Sequence, residues 1–169
     1  EPELSASRFE VRNARLAASG SLMSRSEYKM EIDLCDESEI KMKDAWVRLL
    51  PYKTLRLTVG QQRMPFSIDA HRNPSAQYFA NRSFIAKQVG NVRDVGATLG
   101  YTLSGANPII LEAGLFNGSG LTNQKDYSTK AVNFSAKAQF SLPRGSNVTL
   151  STQNISPNGN TTMMYDLGT

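Results

Sequence analysis

The 169-residue chain has a single cysteine, Cys35, and a single histidine, His71. One thiol excludes an internal disulfide and a cysteine-based metal site. One imidazole all but closes off Ser-His-Asp chemistry and histidine-based metal binding. No stretch approaches the roughly eighteen consecutive apolar residues of a membrane-spanning helix. The mean hydropathy of -0.37 excludes helical membrane proteins only, because the strands of a membrane barrel alternate polar with apolar residues. The opening EPELSASRFE holds no apolar signal segment, as expected of a mature or excised chain. The formal charge of +4 and pI of about 9.3 suit an anionic partner without selecting one. No cofactor and no nucleic-acid partner is expected.

What is present is period-two alternation, which marks strands with one apolar face. Residues 8–20 carry Phe9, Val11, Ala14, Leu16 and Ala18, with a change of parity at Arg12–Asn13 that predicts a bulge. Tyr28, Met30, Ile32 and Leu34 alternate with Lys29, Glu31, Asp33 and Cys35 within 27–36. Further strands are predicted over 41–50, 54–62, 94–104, 109–117, 127–141 and 147–155, and Met163–Leu167 resembles the start of a ninth. Tyr28, Ile32, Val47, Leu57, Leu99, Leu111 and Phe134 are expected to share one face. In these registers the mid-strand charges fall on the other face. Soluble strands average five or six residues, whereas tilted membrane strands need about nine to eleven. The predicted class is therefore all-β, an antiparallel transmembrane β-barrel, with residues 1–169 as one barrel domain.

The connections alternate in length. Short turns at 21–26, 51–54, 104–108 and 143–146 alternate with longer or more polar links at 36–41, 63–93, 117–126 and 156–162. Outer-membrane barrels have short periplasmic turns and longer extracellular loops. The first strand then descends, and a further ascending strand is expected before Arg8. The link 63–93 is far longer than an ordinary connection, which marks it as functional or disordered. Its apolar residues Phe66, Tyr78, Phe79, Phe84, Ile85 and Val89 argue for packing. Arg63, Arg72, Arg82, Lys87 and Arg93 outnumber its one acid, Asp69. It is expected to fold into the barrel mouth and line the pore with positive charge.

Several blocks, in order, resemble one family. They are RFEVRNARL at 8–16, YKMEID at 28–33, KDAWV at 43–47, VGQQRMPFS at 59–67, NRS at 81–83, RDVG at 93–96 and GLFNG at 114–118. Over about two-thirds of its length the chain resembles the phosphate-selective porin O and P family of Gram-negative outer membranes. The Val-Gly-Gln-x-x-x-Pro-Phe block followed by Arg-Ser and Arg-Asp-x-Gly is the more specific part. The resemblance implies one part of a sixteen-stranded, homotrimeric barrel, roughly twice this length, with outer-membrane lipid around it. It implies passive diffusion of small anions such as phosphate or polyphosphate. It also makes 63–93 the counterpart of the constricting third loop of porins. Asn81 stands where the family usually has a glutamate, and no terminal aromatic follows Asp166-Leu167-Gly168-Thr169; with the strand expected before Arg8, the resemblance implies a barrel domain incomplete at both ends.

Anion passage needs fixed positive charge near the path without binding too tight for release. Arginine suits phosphate because its planar fork donates two hydrogen bonds, while lysine acts as a point charge. Arg72, Arg82 and Lys87 are the candidate lumen residues of the loop. Arg48, Arg56 and Lys137, on the polar faces of their strands, are candidates on the wall, with ion pairing to Asp33, Asp44 or Glu112 as their alternative role. Glu31 and Asp33 resemble a catalytic carboxylate pair only superficially, since no histidine or metal partner accompanies them; no enzymatic activity is expected. Trp46 and Tyr28 suit either an interfacial girdle or the lumen. Two other functions fit the alternation: a complete eight-stranded barrel with an adhesin or structural role, and a soluble barrel binding carbohydrate or lipid.

Overall fold

The structure, a computed structural model, describes residue 11 and residues 14–36, 39–67, 93–118, 132–143, 146–155 and 162–168. Nine strands follow one another: β1 (Arg15–Met23), β2 (Ser26–Asp36), β3 (Glu39–Tyr52), β4 (Leu55–Arg63), β5 (Arg93–Leu103), β6 (Ile109–Phe116), β7 (Asn133–Ser141), β8 (Asn147–Ile155) and β9 (Thr162–Gly168). Each pairs antiparallel with the next, in the order β1 to β9, in a single sheet. No helix among the described residues is long and apolar enough to cross a membrane, which says nothing of a barrel.

The strands form where alternation predicts them, with shifted ends. β1 continues to Met23, with Leu22 extruded as a bulge, so the turn narrows to Ser24–Arg25. Pro51 and Tyr52 likewise belong to β3 rather than to the turn. Val132 precedes β7 instead of lying within it. The bulge expected at Arg12–Asn13 lies outside the described residues, as do 8–10 of the first predicted strand and 127–131 of the seventh. The weakest signal, at 163–167, proves to be a full strand, β9.

Because the side-chain period is two, residues directly opposite one another share a face. Following the ladder from β2 gives Tyr28, Val47, Val59, Ala97, Leu115 and Phe134 on one side. Leu57, Leu99, Ala113, Ala136 and Leu49 fall on the same side, as do Ile32 and Leu111. The shared apolar face is as expected. Among the described residues it is open: Val47, Leu99, Leu115 and Leu150 are 43%, 51%, 61% and 50% exposed.

The opposite face inverts the pattern of a soluble sheet. Asp94, Ser135, Thr149 and Gln153 are among the most enclosed side chains, and the buried apolar residues among those described are Met64, Phe66 and Phe116. Apolar side chains outside and polar ones inside suit a wall with hydrocarbon on one side and water on the other. A second sheet packed over Ile32 and Leu34 is not found among the described residues; Leu34 is exposed. Nor do β1 and β8 pair to close an eight-stranded barrel: in the described sheet β1 pairs with β2 alone, and β8 lies between β7 and β9.

Candidate functional site

The polar face is built by register. Arg15 and Asp33, Ala17 and Glu31, and Ser19 and Lys29 are opposite on β1 and β2. Glu31 in turn faces Asp44, Lys29 faces Trp46, and Glu27 faces Arg48 on β3. Two like charges directly opposite repel, so the Glu31–Asp44 pair is unfavourable on its own. Lys29 resolves it. Its Nζ donates to Glu31 Oε2 at 2.6 Å and to Asp44 Oδ2 at 2.8 Å. On the other side of Glu31, Arg15 donates to Glu31 Oε1 at 3.4 Å and, through Nε, to Asp33 Oδ2 at 3.2 Å. At the far end Arg93 Nε donates to Asp44 Oδ1 at 2.8 Å. The sign therefore alternates along Asp33, Arg15, Glu31, Lys29, Asp44 and Arg93.

A second row crosses β4 to β7. Arg56 faces Gly100, Gly100 faces Glu112, and Glu112 faces Lys137. Gly100 leaves its place empty, and the Arg56 guanidinium occupies it; an added Cβ there would sit 3.1 Å from Arg56 Nε. Arg56 Nη2 reaches Glu112 Oε1 at 3.6 Å, and Lys137 Nζ reaches Glu112 Oε2 at 2.7 Å. One carboxylate is shared by two cations.

Arg48 takes a third partner set. Its Nη1 is 3.4 Å from Glu27 Oε2, its Nε donates to Thr58 Oγ1 at 3.1 Å, and its guanidinium lies 4.5 Å from the centre of the Trp46 ring. Trp46 thus belongs to the polar face. Tyr28, opposite Gly20 and Val47, belongs to the apolar one. A cavity of about 460 Å³ opens beside Trp46 and Arg48, with Lys29, Glu31, Asp44 and Gln62 around it.

The chain leaving β4 turns onto this face. Met64 and Phe66 are 1% and 3% exposed, and the Ser67 backbone N–H donates to Ser151 Oγ at 3.0 Å on β8. Ser151 lies on the polar side, opposite Lys137. The link that starts on β4 therefore crosses the concavity to a strand four positions away in the sheet. Ser67 adopts φ 60, a conformation rare for a residue with a side chain. Arg93 anchors the other end of the link to Asp44.

The wall candidates Arg48, Arg56 and Lys137 all occupy the polar face, each with a carboxylate partner. Arg56 and Lys137 take Glu112 as the alternative role foresaw; Arg48 takes Glu27. The loop candidates Arg72, Arg82 and Lys87 lie outside the described residues. The row from Asp33 to Arg93 was missed as a unit. Its signal was present in the Lys-x-Glu-x-Asp alternation of β2, but its partners on β1, β3 and β5 depend on register. Among the described residues no group of His, Cys, Asp and Glu is placed to hold a metal ion.

The family model for phosphate-selective porin O and P matches residues 2–168. Neither the curated proteins nor the solved structures compared with the chain contain a match.

Proposed function

Since the chain belongs to the phosphate-selective porin O and P family, a family of outer-membrane channels rather than of enzymes, we propose that it carries small anions, phosphate among them, by passive diffusion past a cationic constriction. The observation that supports this most directly is the inverted sheet: the exposed apolar face suits outer-membrane lipid, and the ion-paired face suits an aqueous lumen.

The rows of the wall bear on where selectivity arises. Arg48 is balanced by Glu27, whereas Arg56 and Lys137 divide one carboxylate, Glu112, so the wall is only partly neutralised along them. The larger excess of positive charge falls to 63–93, where Arg72, Arg82 and Lys87 join Arg63 against Asp69, while Arg93 is paired with Asp44. Confinement makes such charge effective. Two unit charges about 4 Å apart attract by about 4 kcal/mol at an effective dielectric near 20, against about 1 in bulk water. The crossing of Met64–Ser67 to β8 supports a link directed into the lumen. Arg48, Arg56 and Lys137 then act as secondary contacts down the wall.

The edges of the sheet extend the proposal. Backbone N–H and C=O groups left unpaired in lipid are costly, so a spanning sheet must close. We infer that further strands pair with β1 and β9, as in a sixteen-stranded barrel, and that three such barrels associate in the outer membrane of a Gram-negative bacterium.

The test is current through the purified protein in a planar bilayer. Chloride current that falls as inorganic phosphate is added supports the proposal. Stable folding with no conductance at any voltage would reject it.

A further inference from the structure

Trp46 is the only tryptophan of the chain, and the register sets it on the polar face, between Lys29 on β2 and Gly60 on β4. An indole gains most when it buries its ring, yet here it stands among charges beside a cavity. The cross-strand position next to it is vacant. Gly60 has φ 125, and a Cβ there would collide with the backbone at Ala45 and Trp46. No side chain can fill that position without strain. The cavity of about 460 Å³ beside the ring falls in the range of roughly 300–1,000 Å³ typical of small-molecule sites.

Most charged groups around the cavity are paired with a charge of opposite sign, and Arg63 stands in the lining as well. Lys29 is held by Glu31 and Asp44, and Arg48 by Glu27 and Thr58. A bare anion gains less from a cation that already has a carboxylate partner than from one that has none. A hydroxyl group both donates and accepts, so it can bond to a carboxylate and an ammonium or guanidinium that are bonded to each other. A molecule with several hydroxyls on one edge and a C–H face on the other matches the paired charges and the indole together. Resting on the channel reading above, we propose that the Trp46 cavity is a lumen subsite for a pyranose ring, free or carrying a phosphate. Ring hydroxyls take Glu31, Asp44 and Lys29, and Gln62 lies within the same lining. The C–H face lies on Trp46, held in place by Arg48. A phosphate substituent adds charge but is not what the cavity reads.

The test uses the purified protein in detergent micelles and in bilayers. Trp46 fluorescence is followed during titration with glucose, glucose 6-phosphate and inorganic phosphate at constant ionic strength. A saturable change with both sugars, and none with inorganic phosphate, is the expected result. A stronger response to glucose 6-phosphate than to glucose identifies the phosphorylated form as the better ligand. No response to either sugar, or the same response to inorganic phosphate alone, would overturn the subsite. In bilayers, Trp46→Ala should weaken block by sugar about tenfold, the loss of one aromatic contact, with block expressed relative to the variant's own open-channel current. Equal block in wild type and in a conducting Trp46→Ala variant would also overturn it. The fluorescence result stands whether or not the protein conducts, so failure of the subsite and failure of the channel are separable.

Discussion

Arg93 and Asp44 meet at 2.8 Å although their strands do not pair. β4 lies between β3 and β5, and the guanidinium reaches over it. The side chains are 3% and 7% exposed, so this is an enclosed ion pair at the foot of the long link. Asp44 also accepts from Lys29, which makes it the hinge between the charge row of β1–β3 and the end of residues 63–93.

Removing that carboxylate leaves Arg93 and Lys29 without a shared counter-charge. Breaking an enclosed ion pair costs about 3–5 kcal/mol, and Asp44→Ala is expected near the lower end because Lys29 is partly exposed. Glu27→Ala, which loses only the more exposed contact with Arg48, should cost less than about 1 kcal/mol. Urea unfolding of protein refolded in micelles, followed by circular dichroism, compares the two. Equal losses would deny Asp44 its special place.

The two faces should answer differently to charge. Leu99→Lys puts an ammonium on the exposed apolar face, at a cost of about 2–4 kcal/mol near the bilayer midplane. Thr102→Lys, on the polar face opposite Ile110, should cost less than about 1 kcal/mol, as substitutions clear of buried features usually do. Folding into lipid vesicles, measured by denaturant titration, gives both values. Comparable tolerance of lysine at the two positions would contradict a lipid-facing sheet.

Alternation made most of this architecture legible. β2 declares itself because Tyr28 to Cys35 alternate without exception, and β5 because Val95 to Leu103 do the same. Ser21–Met23 was legible only as a turn, since its extension of β1 depends on pairing with β2 and on extruding Leu22. Ion-pair partners were legible in kind and not in identity. Glu112 can be matched to Lys137 once β6 and β7 pair, but Arg48 belongs to Glu27 only because β2 and β3 align Tyr28 with Val47. The register shift between Glu31 and Ile32 then re-sets the rest of that ladder. No local pattern encodes the reach of Arg93 over β4. Trp46 was undecidable for the same reason: its face follows from its neighbours on β2 and β4.

The crossing of the link offers a local check. Ser151→Ala removes the acceptor of the Ser67 N–H, and an enclosed amide left without a partner costs about 1–3 kcal/mol. Hydrogen exchange at the Ser67 amide should be slow in the wild type and at least tenfold faster in the variant, while the β4 and β5 amides are unchanged. Rapid exchange in the wild type would mean that the link does not rest on β8.

The central claim is anion preference carried by the long link, and the reversal potential under a salt gradient in a planar bilayer tests it most directly. Wild-type protein should show a potential of the sign that marks anion over cation passage. Joint replacement of Arg72, Arg82 and Lys87 by glutamine should move it towards zero with the barrel still folded, since the wall strands are untouched. An unchanged potential in that variant would shift the selectivity to Arg48, Arg56 and Lys137. Cation preference in the wild type would contradict the account outright.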